Sequence, residues 1–278
     1  MEKSTGPWYY PILVTVKEGA VDYKVESLVE FLKQILTGWN SVECITVDPR
    51  SEIFDLDPYF ALVIDVYYRT TVPGAQARRA AFGDPGDFET AASGTKDRFF
   101  LEELPIRIEY KDIETVERLL DRPVQNLKLL KNSGTYSFYR LESNKVLFDG
   151  SGWIGRARGK LSTFPAEVWT ALGESFRSKM EHYLSDMGAA SFSGDKYFLL
   201  LSEAGFLRYA AASVFMENRK FEPSHRDIDD QLHGLARVPE GFWPAWDAIL
   251  QKERDLPAPK RFEVARLLAS SVYSLSAG

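Results

Sequence analysis

Sulfur chemistry is almost absent from this chain, which carries one cysteine, Cys44, in 278 residues. A single cysteine excludes an internal disulfide. Its setting, the strand-like run "SVECITV", suits a small core residue rather than a nucleophile. Histidine is nearly as scarce, with three residues that form neither a helical H-E-x-x-H pattern nor a cluster with cysteine, so the usual zinc sites are excluded. A basic excess is missing as well: 34 Lys and Arg face 40 Asp and Glu, for a formal charge of −6 and a pI near 5.3. That balance excludes an extensive nucleic-acid footprint, while a local basic pocket stays compatible with it. No cationic leader with an apolar core and no apolar stretch long enough to span a bilayer stands out, so the expected compartment is the cytoplasm and no membrane partner is expected.

What is present is the composition of a folded globular protein, 45% hydrophobic and 27% charged. The length allows one large or two ordinary domains. "YYPILVTV" predicts a first strand, and "KVESLVEFLKQIL" places Val25, Leu28, Val29, Leu32 and Leu36 at helical spacing. "SVECITVD" reads as a strand and "PRSEIFDLDP" as a polar loop. The run "FALVIDVYY" then predicts a strand covered on both faces, with one carboxylate, Asp65, in its middle. Such a group needs a cation, hydrogen-bond donors or a metal. Residues 72–97, rich in Gly and small polar residues, predict a long loop with a helix around "AQARRAAF". "LPIRIEYKD" alternates, with Ile106, Ile108 and Tyr110 on one face and Arg107 and Glu109 on the other.

Two strands each offering an inward carboxylate make a minimal scaffold for a hard divalent cation. The competing reading is structural pairing, of Asp65 with Arg69 or Arg107 and of Glu109 with Lys111. In the loop, "SGTKDRFF" joins a small-residue turn at Ser93 to Lys96 and Arg98. Turn N–H groups and a nearby lysine can hold a phosphate, with a solvated loop as the alternative.

Downstream, "IETVERLLD" predicts a helix stopped near Pro123, and "TYSFYRLESNKVLFDGSGWIG" predicts a strand pair around a turn. Beyond residue 160 the period becomes helical. "PAEVWTALGESFRSKMEHYLSDM" starts with Pro165 in a first-turn position. "DKYFLLLSEAGFLRYAAASVFMEN" sets Tyr197, Leu200, Leu201, Ala204, Leu207, Ala211 and Val214 on one face. Three further helices follow at "HRDIDDQLHGL", "GFWPAWDAILQKER" and "KRFEVARLLASSVYSL". Trp243 and Trp246 are expected in the core, or else in an exposed apolar patch.

Three stretches, "YRLESNKVLFDGSGWI", "FMENRKFEPSHRDIDDQLHGLARVP", and "FALVIDVYY" taken with "PIRIEY", resemble segments of the nucleotidyltransferase superfamily of DNA polymerase beta and the kanamycin nucleotidyltransferases. The resemblance implies an α+β chain: a mixed-sheet nucleotidyltransferase-like domain over 1–158, then an all-α helical bundle over 159–278. It implies transfer of a nucleoside monophosphate from a nucleoside triphosphate, with Mg²⁺ or Mn²⁺ as cofactor and an unidentified small-molecule or protein acceptor. The chemistry answers a physical need, since two ions bridged by carboxylates neutralise the triphosphate and stabilise the departing pyrophosphate. On this reading Asp65, Glu109 and Asp57, with Asp55 beside it, are the catalytic and metal-binding residues, and Lys96, Arg98 and Ser93 meet the phosphates. Two departures from the superfamily's pattern stand out. No Gly-Ser element precedes the strand, and Val63 and Tyr67 occupy the positions two residues either side of Asp65. They motivate the alternative, a catalytically inactive fold that binds a nucleotide or a protein. The spacing of Arg219 and His225 also suits a helical ribonuclease toxin, in which the pair acts on an RNA phosphate.

Overall fold

The computed structural model describes residues 18–49, 61–250 and 256–276. The class is α+β, a six-stranded mixed sheet together with a large helical region. The chain forms two compact units, Met1–Lys111 with Lys145–Ser151, and Asp112–Asn144 with Gly152–Gly278. Where a single crossing near residue 158 was expected, the chain thus crosses three times. The reason lies in one strand that returns to the sheet after a helical excursion.

In the first unit, α1 (Glu18–Thr37) precedes β1 (Val42–Val47) and β2 (Leu62–Tyr68), followed by α2 (Ala75–Ala81), β3 (Glu89–Thr90), β4 (Lys96–Leu101) and β5 (Leu104–Asp112). After the excursion β6 (Lys145–Asp149) completes the sheet order β3-β4-β5-β2-β1-β6. β1 pairs antiparallel with both β2 and β6, and Thr46 lies opposite Asp65. The predicted helical stripe Val25, Leu28, Leu32 and Leu36 is buried in one core with Ile45, Val47, Leu62, Ile64, Val66, Ile106, Ile108 and Tyr110. Alternation therefore leaves Thr46, Asp65, Arg107, Glu109 and Lys111 on the opposite face.

Part of the predicted loop over 72–97 is strand. Asp97 and Phe99 are buried while Lys96, Arg98 and Phe100 are exposed, a period of two that binds β4 to β5. The hairpin closes through Glu102 and Glu103, both at positive φ (47° and 70°), the backbone a tight two-residue turn demands. Phe82, Phe88 and Phe99 stack beneath α2, with Trp39 against Phe82 and Tyr110. The predicted strand "YYPILVTV" and most of the loop "PRSEIFDLDP", with Asp55 and Asp57, lie outside the described residues.

The second unit opens with α3 (Ile113–Asp121), whose Asp112 cap accepts from the N–H groups of Glu114 and Thr115. α4 (Leu127–Ser133), α5 (Tyr136–Ser143) and α6 (Trp153–Ser162) follow. The predicted strand pair is corrected here, because its first half is α5. The aromatic-rich run reads as β, yet Phe138 is buried by packing edge-on against Phe164 and Phe221, and tertiary contact overrides local preference.

The long helices α7 (Ala166–Ser193) and α8 (Lys196–Glu217) form a hairpin through Gly194 at φ 71° and Asp195, which caps Phe198 N–H at 3.0 Å. At their crossing, a Cβ added to Gly205 falls 2.4 to 2.6 Å from the Tyr183 ring. Gly205→Ala is therefore expected to lower stability by about 1–3 kcal/mol as an overpacked contact, measurable by chemical denaturation. Tyr183→Leu in the same background should recover part of the loss.

The face expected to be buried on α8 is also corrected in its first half. There Tyr197, Leu200 and Leu201 are 72%, 64% and 50% exposed while Leu199, Glu203 and Phe206 point inward, whereas Ala211 and Val214 further along are buried as expected. An apolar helix with little polarity on any side carries no stripe to choose by. Buried Glu203 instead meets Arg261 Nη1 at 3.1 Å with both oxygens. By length and composition α8 is apolar enough to cross a membrane, contrary to the expectation that no such stretch exists, and 56% of its most apolar window is buried inside the protein. α9 (Ile228–His233), α10 (Phe242–Leu250) and α11 (Ala258–Ser276) complete the unit. Trp246 is buried with its N–H donated to Asp229 at 2.8 Å, and Trp243 stacks on His233 at 3.8 Å between ring centroids.

Candidate functional site

The sheet face turned away from α1 carries the residues on which function was expected to rest. Asp65 sits on β2, Glu109 on β5, and Lys96 and Arg98 on β4. The register sets Lys96 opposite Glu109 and Arg98 opposite Arg107. All four expected residues share this face with Thr46, Arg107 and Lys111. Asp48, two positions beyond Thr46 and buried, continues the row, its N–H held by the Val63 carbonyl at 3.0 Å.

Each central acid has a lysine. Asp65, fully buried, accepts from Lys111 Nζ at 2.9 Å, and the Lys111 side chain is itself only 15% exposed. The same ammonium lies 5.6 Å from the centre of the buried Tyr67 ring, which favours a desolvated cation. Glu109 meets Lys96 Nζ at 3.0 Å, with the lysine half exposed. Asp65 bonds Lys111 and Glu109 bonds Lys96, two pairs that were not among the structural partners expected from sequence. Register accounts for both: Lys111 lies two residues beyond Glu109 on the same face and reaches the neighbouring strand, and Lys96 stands directly across from Glu109. Arg69 is held at 2.7 Å by Glu43, which also accepts from Ser151 at 2.8 Å.

Among the described residues no group of three or more His, Cys, Asp or Glu is arranged to hold a metal ion. Asp65 and Glu109, each neutralised by its own lysine, do not fit a Mg²⁺ or Mn²⁺ centre as they stand. Ser93 lies in the turn before β4, where its hydroxyl pairs with Thr95 Oγ1 at 2.7 Å. The neighbouring Gly94 N–H is committed to the Ala91 carbonyl at 2.7 Å, so that donor is not turned toward an anion.

The opposite face of β4 holds a buried network that the sequence reading missed. Asp97 accepts from Arg78 Nε at 2.7 Å and Nη2 at 2.8 Å, from Tyr110 Oη at 2.8 Å and from Thr90 Oγ1 at 2.9 Å. Burial, and then Asp97, push the Tyr110 phenol far above its ordinary range, so it serves as a fixed donor. Strict alternation in "KDRFF" was the signal, since it places Asp97 on the side of Phe99.

In the second unit, Arg219 lines a cavity of about 170 Å³ with Trp169, Arg177, Glu217 and Arg237. His225 lines a different one, of about 430 Å³, with Leu207, Arg208, Asp229 and Trp246. The two residues of the ribonuclease reading therefore stand in separate cavities. Burial and the nearby Arg208 hold His225 below the ordinary histidine range. Glu222, hydrogen-bonded to Thr135, is raised by burial against the opposing pull of Thr135, Arg208 and Lys179.

A family model described as "Domain of unknown function (DUF4037)" matches residues 132–226. No curated protein matches. Among solved structures, the chain is similar to the crystal structure of a nucleotidyltransferase-like protein from Exiguobacterium sibiricum 255-15, at 11% identity and a TM-score of 0.45, over 92% of this chain and 75% of that one.

Proposed function

We propose that this chain is a catalytically inactive, nucleotidyltransferase-like module that binds the phosphates of a nucleoside triphosphate without a divalent ion. One observation carries the reading: the carboxylates expected to bind metal, Asp65 and Glu109, are already countered by Lys111 and Lys96 at 2.9 and 3.0 Å. A buried carboxylate whose charge is countered by an ammonium has less electrostatic reason to recruit a second cation. On this reading Arg98, with Lys96 shared between Glu109 and the ligand, meets the phosphates, so charge neutralisation of the ligand falls to side chains.

Calorimetric titration of ATP in EDTA, and again in excess Mg²⁺, tests this directly. The expected result is binding in both, with affinities within about twofold, and no pyrophosphate release with time. Binding that requires Mg²⁺ or Mn²⁺, or pyrophosphate release abolished by Asp65→Asn, removes the reading.

A second reading is supported by the placement of Asp48, Asp65 and Glu109 on one sheet face. It is metal-dependent transfer of a nucleoside monophosphate to a small-molecule or protein acceptor, with Asp65, Glu109 and Asp57 around Mg²⁺ or Mn²⁺. It requires the lysines to yield to the ion, and the two titrations separate it from the first.

A further inference from the structure

β4 and β5 place two arginines face to face. Arg98 and Arg107 are direct cross-strand partners, so their Cβ atoms stand only about 4.5–5.5 Å apart. Both side chains are exposed, and among the described residues neither makes a side-chain hydrogen bond or ion pair. Glu89 lies across β3 from Arg98 without forming an ion pair to it. The contrast with the neighbouring residues is informative: Lys96 is matched by Glu109 and Lys111 by Asp65, while this pair sets like charge against like. Directly opposed like charges destabilise a ladder, and an anion between them reverses the sign of the interaction. Guanidinium groups suit phosphate oxygens, because their planar forks donate in pairs. Two residues along the same row, Phe100 is 50% exposed and offers an apolar ring face. Aromatic rings in such positions hold nucleobases by stacking, independent of base identity.

We infer that Arg98 and Arg107 form a two-arginine seat for the polyphosphate of a nucleotide, with Phe100 as the platform for its base. The inference deepens the metal-free binding proposed above and rests on that reading for its choice of nucleotide over bare polyphosphate.

The experiment titrates inorganic tripolyphosphate and ATP, both in EDTA, into the full chain and into Arg98→Ala, Arg107→Ala, Phe100→Ala and, as a control of equal charge change, Arg79→Ala. Either seat variant should weaken both ligands roughly tenfold or more, as expected for loss of a charge-assisted bidentate contact. Arg79→Ala should leave both unchanged, and Phe100→Ala should weaken ATP alone. Arg98→Lys should recover only part of the affinity, since it restores the charge and not the fork. In the absence of ligand, Arg98→Ala should keep or raise the melting temperature, because it removes a repulsion, whereas a structural arginine would lower it.

Wild-type affinity in both seat variants, equal losses in Arg79→Ala, or no tripolyphosphate binding by the wild-type chain each overturns the seat. The failures can be told apart. ATP bound in EDTA but indifferent to Arg98 and Arg107 removes the seat and keeps the metal-free reading. Tripolyphosphate bound through both arginines, with ATP bound only when Mg²⁺ is added, keeps the seat and removes that reading.

Discussion

Asp97→Ala is expected to cost about 3–5 kcal/mol of folding stability, the range for stripping one partner from a buried ion pair. The carboxylate is fully buried and accepts four hydrogen bonds, two from Arg78 and one each from Tyr110 and Thr90. Alanine would leave the Arg78 guanidinium, 3% exposed, against the ring of Tyr110 with only the Pro73 and Gly94 carbonyls to accept from it. Whole domains are stable by only about 5–15 kcal/mol, so such a loss takes a large share of the total. Guanidinium denaturation should show a lower midpoint with an unchanged slope. The double variant Arg78→Leu with Asp97→Leu should be much milder than the single one, since no uncompensated charge remains. A single-variant loss below about 1 kcal/mol would mean that water reaches the network and screens it.

Lys111→Met should be nearly as costly, about 3–5 kcal/mol, because it strands Asp65 inside the sheet without its ammonium. This variant also interrogates function. With the lysine gone, Asp65 loses the ammonium that counters its charge, and a divalent cation has its best opportunity to enter. If the lysine is purely structural, adding Mg²⁺ in the millimolar range leaves the melting temperature of Lys111→Met where it was, and Asp65→Leu in the same background restores most of the loss. Recovery of stability with Mg²⁺, saturating as a single site, would reveal a latent metal centre and favour the catalytic reading.

Much of the sheet was legible from local pattern. Alternation in "LPIRIEYKD" names the buried and exposed residues of β5, and the helical stripe of α1 is the one that enters the core. The need of Asp65 for a partner follows from its apolar surroundings alone. The identity of that partner does not, because it depends on Lys111 and Asp65 being brought within reach across the sheet, and strand order is a tertiary fact. β4 was hidden for a different reason: the Gly and small polar residues before it suggest loop, and a six-residue strand beginning with three charged residues has little apolar signal. The inward face of the first half of α8 was illegible because apolar residues surround the helix there, so only its neighbours choose which side is buried; further along, Ala211 and Val214 are buried as their spacing implied.

The route of the polypeptide back to β6 bears on how the molecule is made. Cys44 finds its neighbour Asp149 only after the helices of residues 112–144 have been synthesised. Until the ribosome has released that last ribbon, the far side of β1 carries bare amide and carbonyl groups, the kind of margin that recruits stray chains. A nascent chain paused within the excursion would therefore be at its most vulnerable to aggregation, and holding chaperones would be of greatest use to it in that interval.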